Sequence, residues 1–287
     1  MGLTTGNLPP VQPAEFMREP YLERVKVLAR HWVEHGFDAP TITIPVYALK
    51  LLLLYALGGA AVATLTSGLD TLHPAEWWDA PIVYQKLVLW TVLLESVGIA
   101  GSWGPLAGHF EPFTAGWRHY ARPRTIRLPP WPDHVPLTRG DERTPLDAAL
   151  YLGVLASLVV GLALPAGDDG RVASGVIVAI IVLLVALGLR DKVFFLAARG
   201  EQYLPALIFF AFYPFVDMIV AAKLLIVTVW VGAAFSKFGR HFACVIPPMV
   251  SNTPWLRVKA VKRLHYRDFP EDLRPSERAV ALAHVGG

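Results

Sequence analysis

Five charged side chains stand inside long apolar runs: Lys50, Lys86, Glu95, Asp217 and Lys223. A charge in hydrocarbon is costly unless it is paired or hydrated, so these residues are the first candidates for chemistry. Lys50 lies about one helical turn from the start of the first apolar run, and Glu95 lies six residues from the end of the second. In adjacent antiparallel helices those two positions share a level, which is the geometry of a Lys50–Glu95 ion pair. Lys86 lies about one turn from the opposite end of the second run. Asp217 and Lys223 follow Pro214 in the last run, and a turn there brings them to the same half as Lys86. Two lysines and a carboxylate beside a broken helix resemble the way membrane proteins build ligand sites. In such a layer Lys223 is a candidate catalytic base or anion ligand, Asp217 sets its charge, and Lys86 completes the group. The plain alternatives stay open: lysines near helix ends snorkel to headgroups, and a lone buried ion pair fixes helix register.

A second set lies between the runs. Arg122, Arg124 and Arg127 stand close to Trp117, Tyr120 and Trp131 in a segment rich in proline. Guanidinium pairs with phosphate while indole rings sit at the membrane interface, so Arg122, Arg124, Arg127 and Trp117 are candidates to bind a lipid headgroup or a phosphate. Interfacial anchoring explains the same residues. His31 and His35 have the i, i+4 spacing of a metal pair, but the sequence fixes no third ligand and forms no H-E-x-x-H motif, so no metal site is assigned. The single cysteine, Cys244, excludes an intramolecular disulfide and any cysteine-based zinc or iron–sulfur site. Histidine boxes of a di-iron enzyme, a G-x-S-x-G elbow, a P-loop and a G-x-G-x-x-G fingerprint are missing, and the sequence leaves the cofactor undetermined.

The elements that must position these residues follow from hydropathy. The chain is 54% hydrophobic and 17% charged, with mean hydropathy +0.44, which is too apolar for an ordinary soluble domain. Five stretches, 46–66, 82–101, 147–166, 172–189 and 203–236, hold only six of the 49 formal charges. The first two are each about 30 Å long as helices, matched to a bilayer core. The expected fold is an all-α polytopic membrane bundle of about six transmembrane helices, the last two a tight or re-entrant hairpin, preceded by an amphipathic helix. Its parts are a tail at 1–45 carrying that helix, a first transmembrane hairpin at 46–101, a loop at 102–146 rich in arginine, proline and aromatics, the remaining spans at 147–236, and a basic tail at 237–287. Docking on the bundle and lying among headgroups are both open to the amphipathic helix.

Charge fixes the expected orientation. Lysine and arginine number 4 in the N-terminal tail, 6 in 102–146, 3 in 190–202 and 9 from 237 onward, against 0 in 67–81 and 1 in 167–171. The positive-inside rule places the four richer segments in the cytoplasm, which requires an even number of crossings. The run 203–236 must then turn near Pro214 to Asp217. No basic n-region feeds an apolar core at the start, so the first span is expected to direct insertion. The basic residues sit beside spans, so nucleic acid is discounted as a partner. Gly153, Ser157 and Gly161, and the cluster Gly58, Gly59, Ala60, Ala61 and Ala63, are small residues suited to close helix packing, within the chain or across an oligomer seam. The stretch from Ala279 is expected to be a frayed end or to lead into a further helix of a longer protein.

The segments "WVGAAFSKFGRHFACVIPPMVSNTPW" and "DFPEDLRPSERAVALAHVGG", with "RPRTIRLPPWP" in the loop and "HWVEHGF" before the first span, resemble an uncharacterised multi-pass transmembrane family of mycobacteria and related actinobacteria. The resemblance implies a bacterial inner-membrane location and brings no activity with it. In helix number and lysine-bearing spans alone, the chain also resembles the transmembrane domain of vitamin K-dependent carboxylase-like proteins. Two functions follow as expectations. One is a membrane-embedded enzyme or lipid-handling protein acting on a hydrophobic substrate such as an isoprenoid, quinone or envelope lipid. The other is a non-catalytic subunit or transporter component that docks a membrane-protein partner or a second copy of itself.

Overall fold

The computed structural model describes residues 9–35, 43–99, 115–239, 241–252, 256 and 258–286. Along the chain the helices are α1 (Pro13–Phe16), α2 (Tyr21–His35), α3 (Thr43–Lys50), α4 (Gly58–Leu65), α5 (Pro81–Ser96), α6 (Ala115–Tyr120), α7 (Pro145–Ala163), α8 (Ser174–Arg190), α9 (Lys192–Ala197), α10 (Gly200–Phe212), α11 (Phe215–Ser236), α12 (Ile246–Asn252), α13 (Lys259–Arg263) and α14 (Glu277–Gly286). A π-helical segment, Leu51–Leu57, joins α3 to α4. The strands β1 (Tyr266–Asp268) and β2 (Asp272–Pro275) pair as an antiparallel hairpin, so the expected all-α fold carries a small β element. Phe269–Pro270 is a cis peptide at its turn, where the proline cannot donate to the ladder.

Contacts divide the chain into two compact units, residues 48–227 and residues 1–47 with 228–287. In the first unit, side chains tie the helix ends together in two groups. At one end the Lys86 ammonium donates to Thr66 Oγ1 at 2.6 Å, Gln85 Nε2 donates to the Phe210 carbonyl at 3.2 Å, the Val172 amide donates to Gln85 Oε1 at 2.8 Å, and Arg171 Nη1 donates to the Tyr213 carbonyl at 2.7 Å. At the other end Tyr151 donates to the Ser96 carbonyl at 3.0 Å, Arg190 pairs with Asp147 at 2.5 Å, and Arg199 faces Glu95 at 3.6 Å. These ties make α4, α5, α7, α8 and α10 alternate in direction, and α11 starts at the end where α10 stops. Between the two ends, Leu89, Val92, Val154, Leu158, Ile177, Ile180, Leu184, Leu187 and Leu207 form a buried core.

Among the described residues, three helices are long and apolar enough to cross a membrane: Pro45–Leu65, Pro145–Ala163 and Phe215–Ser236. The other expected spans form shorter helices, with 16 residues in α5 and 17 in α8. Helix α5 gives way at Gly98, whose φ of +93 no helix accommodates. The run 203–236 does break at Pro214, but unequally: α10 has 13 residues and α11 has 22. A ring without an N–H, preceded by Tyr213 in extended conformation, accounts for the break.

Small residues bring helices together within the chain. A Cβ on Gly161 would stand 3.1 Å from Leu89 Cδ1, and Cβ atoms on Gly58 and Gly59 would each stand 3.3 Å from the Trp90 ring. Association in lipid depends on such close contact, because tails are as apolar as the side chains. Gly153 faces Leu183 at ordinary contact distance, and the Ser157 hydroxyl bonds back to the Gly153 carbonyl at 2.7 Å.

In the second unit α2 docks on the C-terminal tail. Glu34 accepts from Lys259 at 3.1 Å and also from Arg263, and the Arg30 guanidinium donates to the Pro270 carbonyl at 2.9 and 3.1 Å. The stretch from Ala279 is part of this unit, since α14 buries Ala279 and Ala283 against Ala243 and Ile246.

Candidate functional site

The polar end of the helical unit that holds Asp147 and Arg190 carries the densest set of buried charges among the described residues. Helix α7 starts there because Thr144 and Asp147 form a capping box ahead of an apolar run and Pro145 occupies the first turn. Asp147 does more than cap. Its Oδ1 is 2.5 Å from Arg190 Nε and 3.5 Å from Arg127 Nη1, all three side chains being buried or nearly so. Asp191 caps α9 by accepting from the Val193 amide at 3.0 Å, also accepts from the Leu128 amide at 3.3 Å, and pairs with Arg143 at 2.6 Å. Two carboxylates thus hold three guanidiniums where helices end. Each pair is bonded on several sides, which is what offsets the desolvation of buried ions.

This knot fixes the loop that precedes α7. Residues 124–127 lie beside 141–143 through main-chain bonds from Arg124 N to Arg143 O, Arg127 N to Asp141 O and Arg143 N to Thr125 O, all at 2.7–2.8 Å. Arg143 lies 5.0 Å over the Tyr120 ring, and Tyr120 packs on Tyr151 and Phe194. Burial pushes the Tyr120 phenol up to about 12, so it stays neutral beneath the guanidinium. Gly116 crosses Gly98 so closely that a Cβ on Gly116 would stand 2.6 Å from the Gly98 Cα, and this contact seats α6 on the end of α5.

Within the loop the four proposed ligand residues divide. Trp117 is 44% exposed, and Arg122 and Arg124 are also exposed, Arg124 with a left-handed backbone at φ +66. Arg127 points the other way. It is 2% exposed and its guanidinium donates to the carbonyls of Glu142, Arg139 and Arg190 at 2.8, 2.7 and 3.3 Å. Burial lowers its pKa and the Asp147 charge opposes that shift. The hydrogen bonds and the salt bridge commit Arg127 to holding the loop.

Glu95 is the centre of a second polar cluster at the same end. The Tyr55 hydroxyl is 3.3 Å from Oε1 and donates to the Ile99 carbonyl at 2.5 Å, Arg199 Nε is 3.6 Å from Oε1, and half-buried Lys50 lies within electrostatic range. Tyr55 belongs to the π-helical segment, whose irregular ladder also offers the Leu54 carbonyl to Trp90 Nε1 at 2.7 Å. The Lys50–Glu95 neighbourhood is therefore joined by Tyr55 and Arg199.

Lys86 lies at the opposite end, Asp217 in the first turn of α11, which begins there, and Lys223 about two turns further along; among the described residues no ion pair joins them. Lys86 is 0% exposed and held by Thr66, the residue that ends α4 and itself donates to the Val62 carbonyl at 2.6 Å. A cation at a helix C-terminus is favoured by the dipole there, which explains a buried ammonium with no carboxylate within 4.0 Å among the described residues. Asp217 and Lys223 are exposed on α11, with no ion pair among the described residues.

The sequence model of one family, described as "Transmembrane protein of unknown function (DUF3556)", matches residues 1–287. The chain belongs to the DUF3556 family. No curated protein and no solved structure matches it. The resemblance carried by the tail and loop motifs agrees with this family at the level of a transmembrane protein without assigned function. Apolar helices of spanning length agree with that description.

Sequence reasoning missed Arg143, Arg190, Asp147 and Asp191 as a group. The signal for one member was present in the spacing of Thr144 and Asp147 before an apolar run, a capping box. Nothing local indicates that Arg190, 43 residues later, returns to the same carboxylate.

Proposed function

We propose that this DUF3556 chain is a multi-pass bacterial inner-membrane protein that handles lipid, gripping an anionic headgroup at the cytoplasmic face through Arg122 and Arg124 with Trp117 alongside. The observation that carries this reading is the presentation of two exposed guanidiniums and an exposed indole on a loop pinned by buried ion pairs. A pinned loop offers its guanidiniums already ordered, so less conformational entropy opposes binding. Guanidinium forks match phosphate oxygens, and indole favours the headgroup level. The alternating helix directions and the bias of lysine and arginine to one side support six crossings with both termini inside. Under this reading Arg127 positions the loop, the cluster of Lys50, Glu95, Tyr55 and Arg199 holds helix register, and Asp217 and Lys223, exposed on α11, face the substrate's path in one polar layer with the buried Lys86.

The test is lipid analysis of the protein purified in mild detergent. Anionic phospholipid should be enriched over the bulk membrane, and Arg122→Gln with Arg124→Gln should lower that enrichment severalfold at an unchanged melting temperature. An unaltered lipid profile in the double variant overturns the reading.

One observation favours a second reading, a non-catalytic component of a membrane complex. Only 6% of the apolar window of α11 is buried, against 39% for α7, and Leu224, Trp230 and Phe235 are all exposed. A lipid-facing helix has the same character, so this reading needs a partner that co-purifies stoichiometrically and is lost when Leu224 and Trp230 are replaced by alanine.

A further inference from the structure

A cavity of about 670 Å³ opens in the C-terminal tail where α13, the β1–β2 hairpin and the start of α14 meet. Its wall carries Arg263, Arg267, Arg278, Asp268, Glu277 and Phe269. Arg263 is already committed: it pairs with Glu34 and lies 5.4 Å over the Phe269 ring, forming a closed side of the cavity. The other four charges are exposed, and among the described residues none has an opposite charge within 4.0 Å. Asp272 is held by Arg274 at 2.6 Å, and the Arg267 charge also reaches it without a contact ion pair. Two guanidiniums and two carboxylates thus share one concavity without closing into contact ion pairs. The base of the group is firm: Tyr266 is buried and bonded to Ser251 at 3.1 Å, Lys262 donates to the Ser251 carbonyl at 2.7 Å, and the Ser276 hydroxyl donates to the Leu264 carbonyl at 2.7 Å.

We infer that this cavity binds a zwitterionic phosphate ester, with the phosphate on Arg267 and Arg278 and the ligand's ammonium on Asp268 and Glu277. A phosphate accepts two guanidinium forks and keeps an oxygen for the first turn of α14, which is ten residues long and lines the same wall. A simple anion would meet the same two guanidiniums but leave both carboxylates facing it uncompensated. The volume is that of an ordinary small-ligand site, far larger than a bare phosphate needs. The inference rests on other residues and does not depend on the lipid-handling reading.

The test uses the full chain in detergent, titrated by calorimetry with O-phosphoethanolamine, with dihexanoyl phosphatidylethanolamine below its micelle concentration, and with inorganic phosphate. Saturable binding of either zwitterion, weakened at least tenfold by R267Q/R278Q and at least tenfold by D268N/E277Q, supports the site. All four residues are exposed, so these variants keep the fold, which the melting temperature checks. Preference for the free phosphoamine identifies a soluble ligand, and preference for the short-chain lipid identifies a headgroup. The titrations are run in the R122Q/R124Q background, so that phosphate held at that loop does not enter the isotherm. Inorganic phosphate binding as tightly as the zwitterions, indifference to D268N/E277Q, or no saturable binding at all overturns the inference.

Discussion

Arg143 and Asp191, 48 residues apart in sequence, meet at 2.6 Å with both side chains fully buried. Asp191 also caps α9 and accepts from the Leu128 amide, so one carboxylate ties the loop, the end of α8 and the start of α9. Asp191→Asn keeps the capping oxygen but strips the charge from beside Arg143. Removing one partner of a buried pair costs about 3–5 kcal/mol, because the remaining charge stays desolvated. The variant should melt well below the wild type in detergent and be cut by trypsin after Arg124 at least several times faster. Adding Arg143→Met should recover a large part of the loss, and no recovery would mean the pair is not what holds the loop.

Close approach of α5 and α7 rests on Gly161. Its missing Cβ would stand 3.1 Å from Leu89 Cδ1, in the middle of the buried core. Gly161→Leu overpacks that contact and should cost about 1–3 kcal/mol. Gly175, in the first turn of α8, has open space where a Cβ would go. Gly175→Ala is therefore the matched control and should be neutral or slightly stabilising by melting temperature. Equal losses at the two glycines would remove the packing account.

Hydropathy made the apolar helices legible, because segments such as 147–166 must be satisfied by their own backbone in lipid. It also marked Pro214 as a break. It did not give the unequal lengths of α10 and α11, since a continuous apolar run carries no signal for where packing against α8 begins. The β-hairpin escaped because three- and four-residue strands leave no period to read. The candidate site was half legible. Arginine, tryptophan and proline density pointed to the loop, yet only tertiary structure separates Arg127, bonded inward to three carbonyls, from Arg122 and Arg124, which face outward. Glu95 was seen as buried, and its neighbour Arg199 was not, because that residue reaches it from a short turn with φ +51 after α9.

Lys86 and Thr66 make a sharper test of the second polar layer. The ammonium is buried and bonded to the Thr66 hydroxyl at 2.6 Å. Thr66→Val leaves the ammonium without that acceptor and should destabilise by about 1–3 kcal/mol. Lys86→Met removes the buried charge altogether and should cost less than Thr66→Val, or nothing. Lys223→Met, on an exposed face, should leave the melting temperature unchanged. If Lys86→Met or Lys223→Met also lowers retained lipid, the proposed layer of Lys86, Asp217 and Lys223 gains a functional role. Unchanged lipid in both would restrict Lys86 to ending α4.

The docking of α2 on the tail should fail in acid, through Glu34. Hydrogen bonds from Arg263 and Lys259 hold its carboxyl below the ordinary value of 4.5. A carboxylate whose folded pKa is depressed binds fewer protons folded than unfolded, so its stabilisation is complete above about 4.5 and is lost as pH falls through the lowered value. Hydrogen exchange across Tyr21–His35 should therefore stay slow at neutral pH and accelerate as pH falls below that point, once the intrinsic pH dependence of exchange is divided out. Glu34→Gln should show faster exchange at pH 7 and a flatter dependence below 4.5, because the titrating group is gone. The Arg30 bonds to the Pro270 carbonyl remain in that variant, so α2 should loosen without leaving the tail. Identical acid profiles in wild type and Glu34→Gln would show that another group controls the docking.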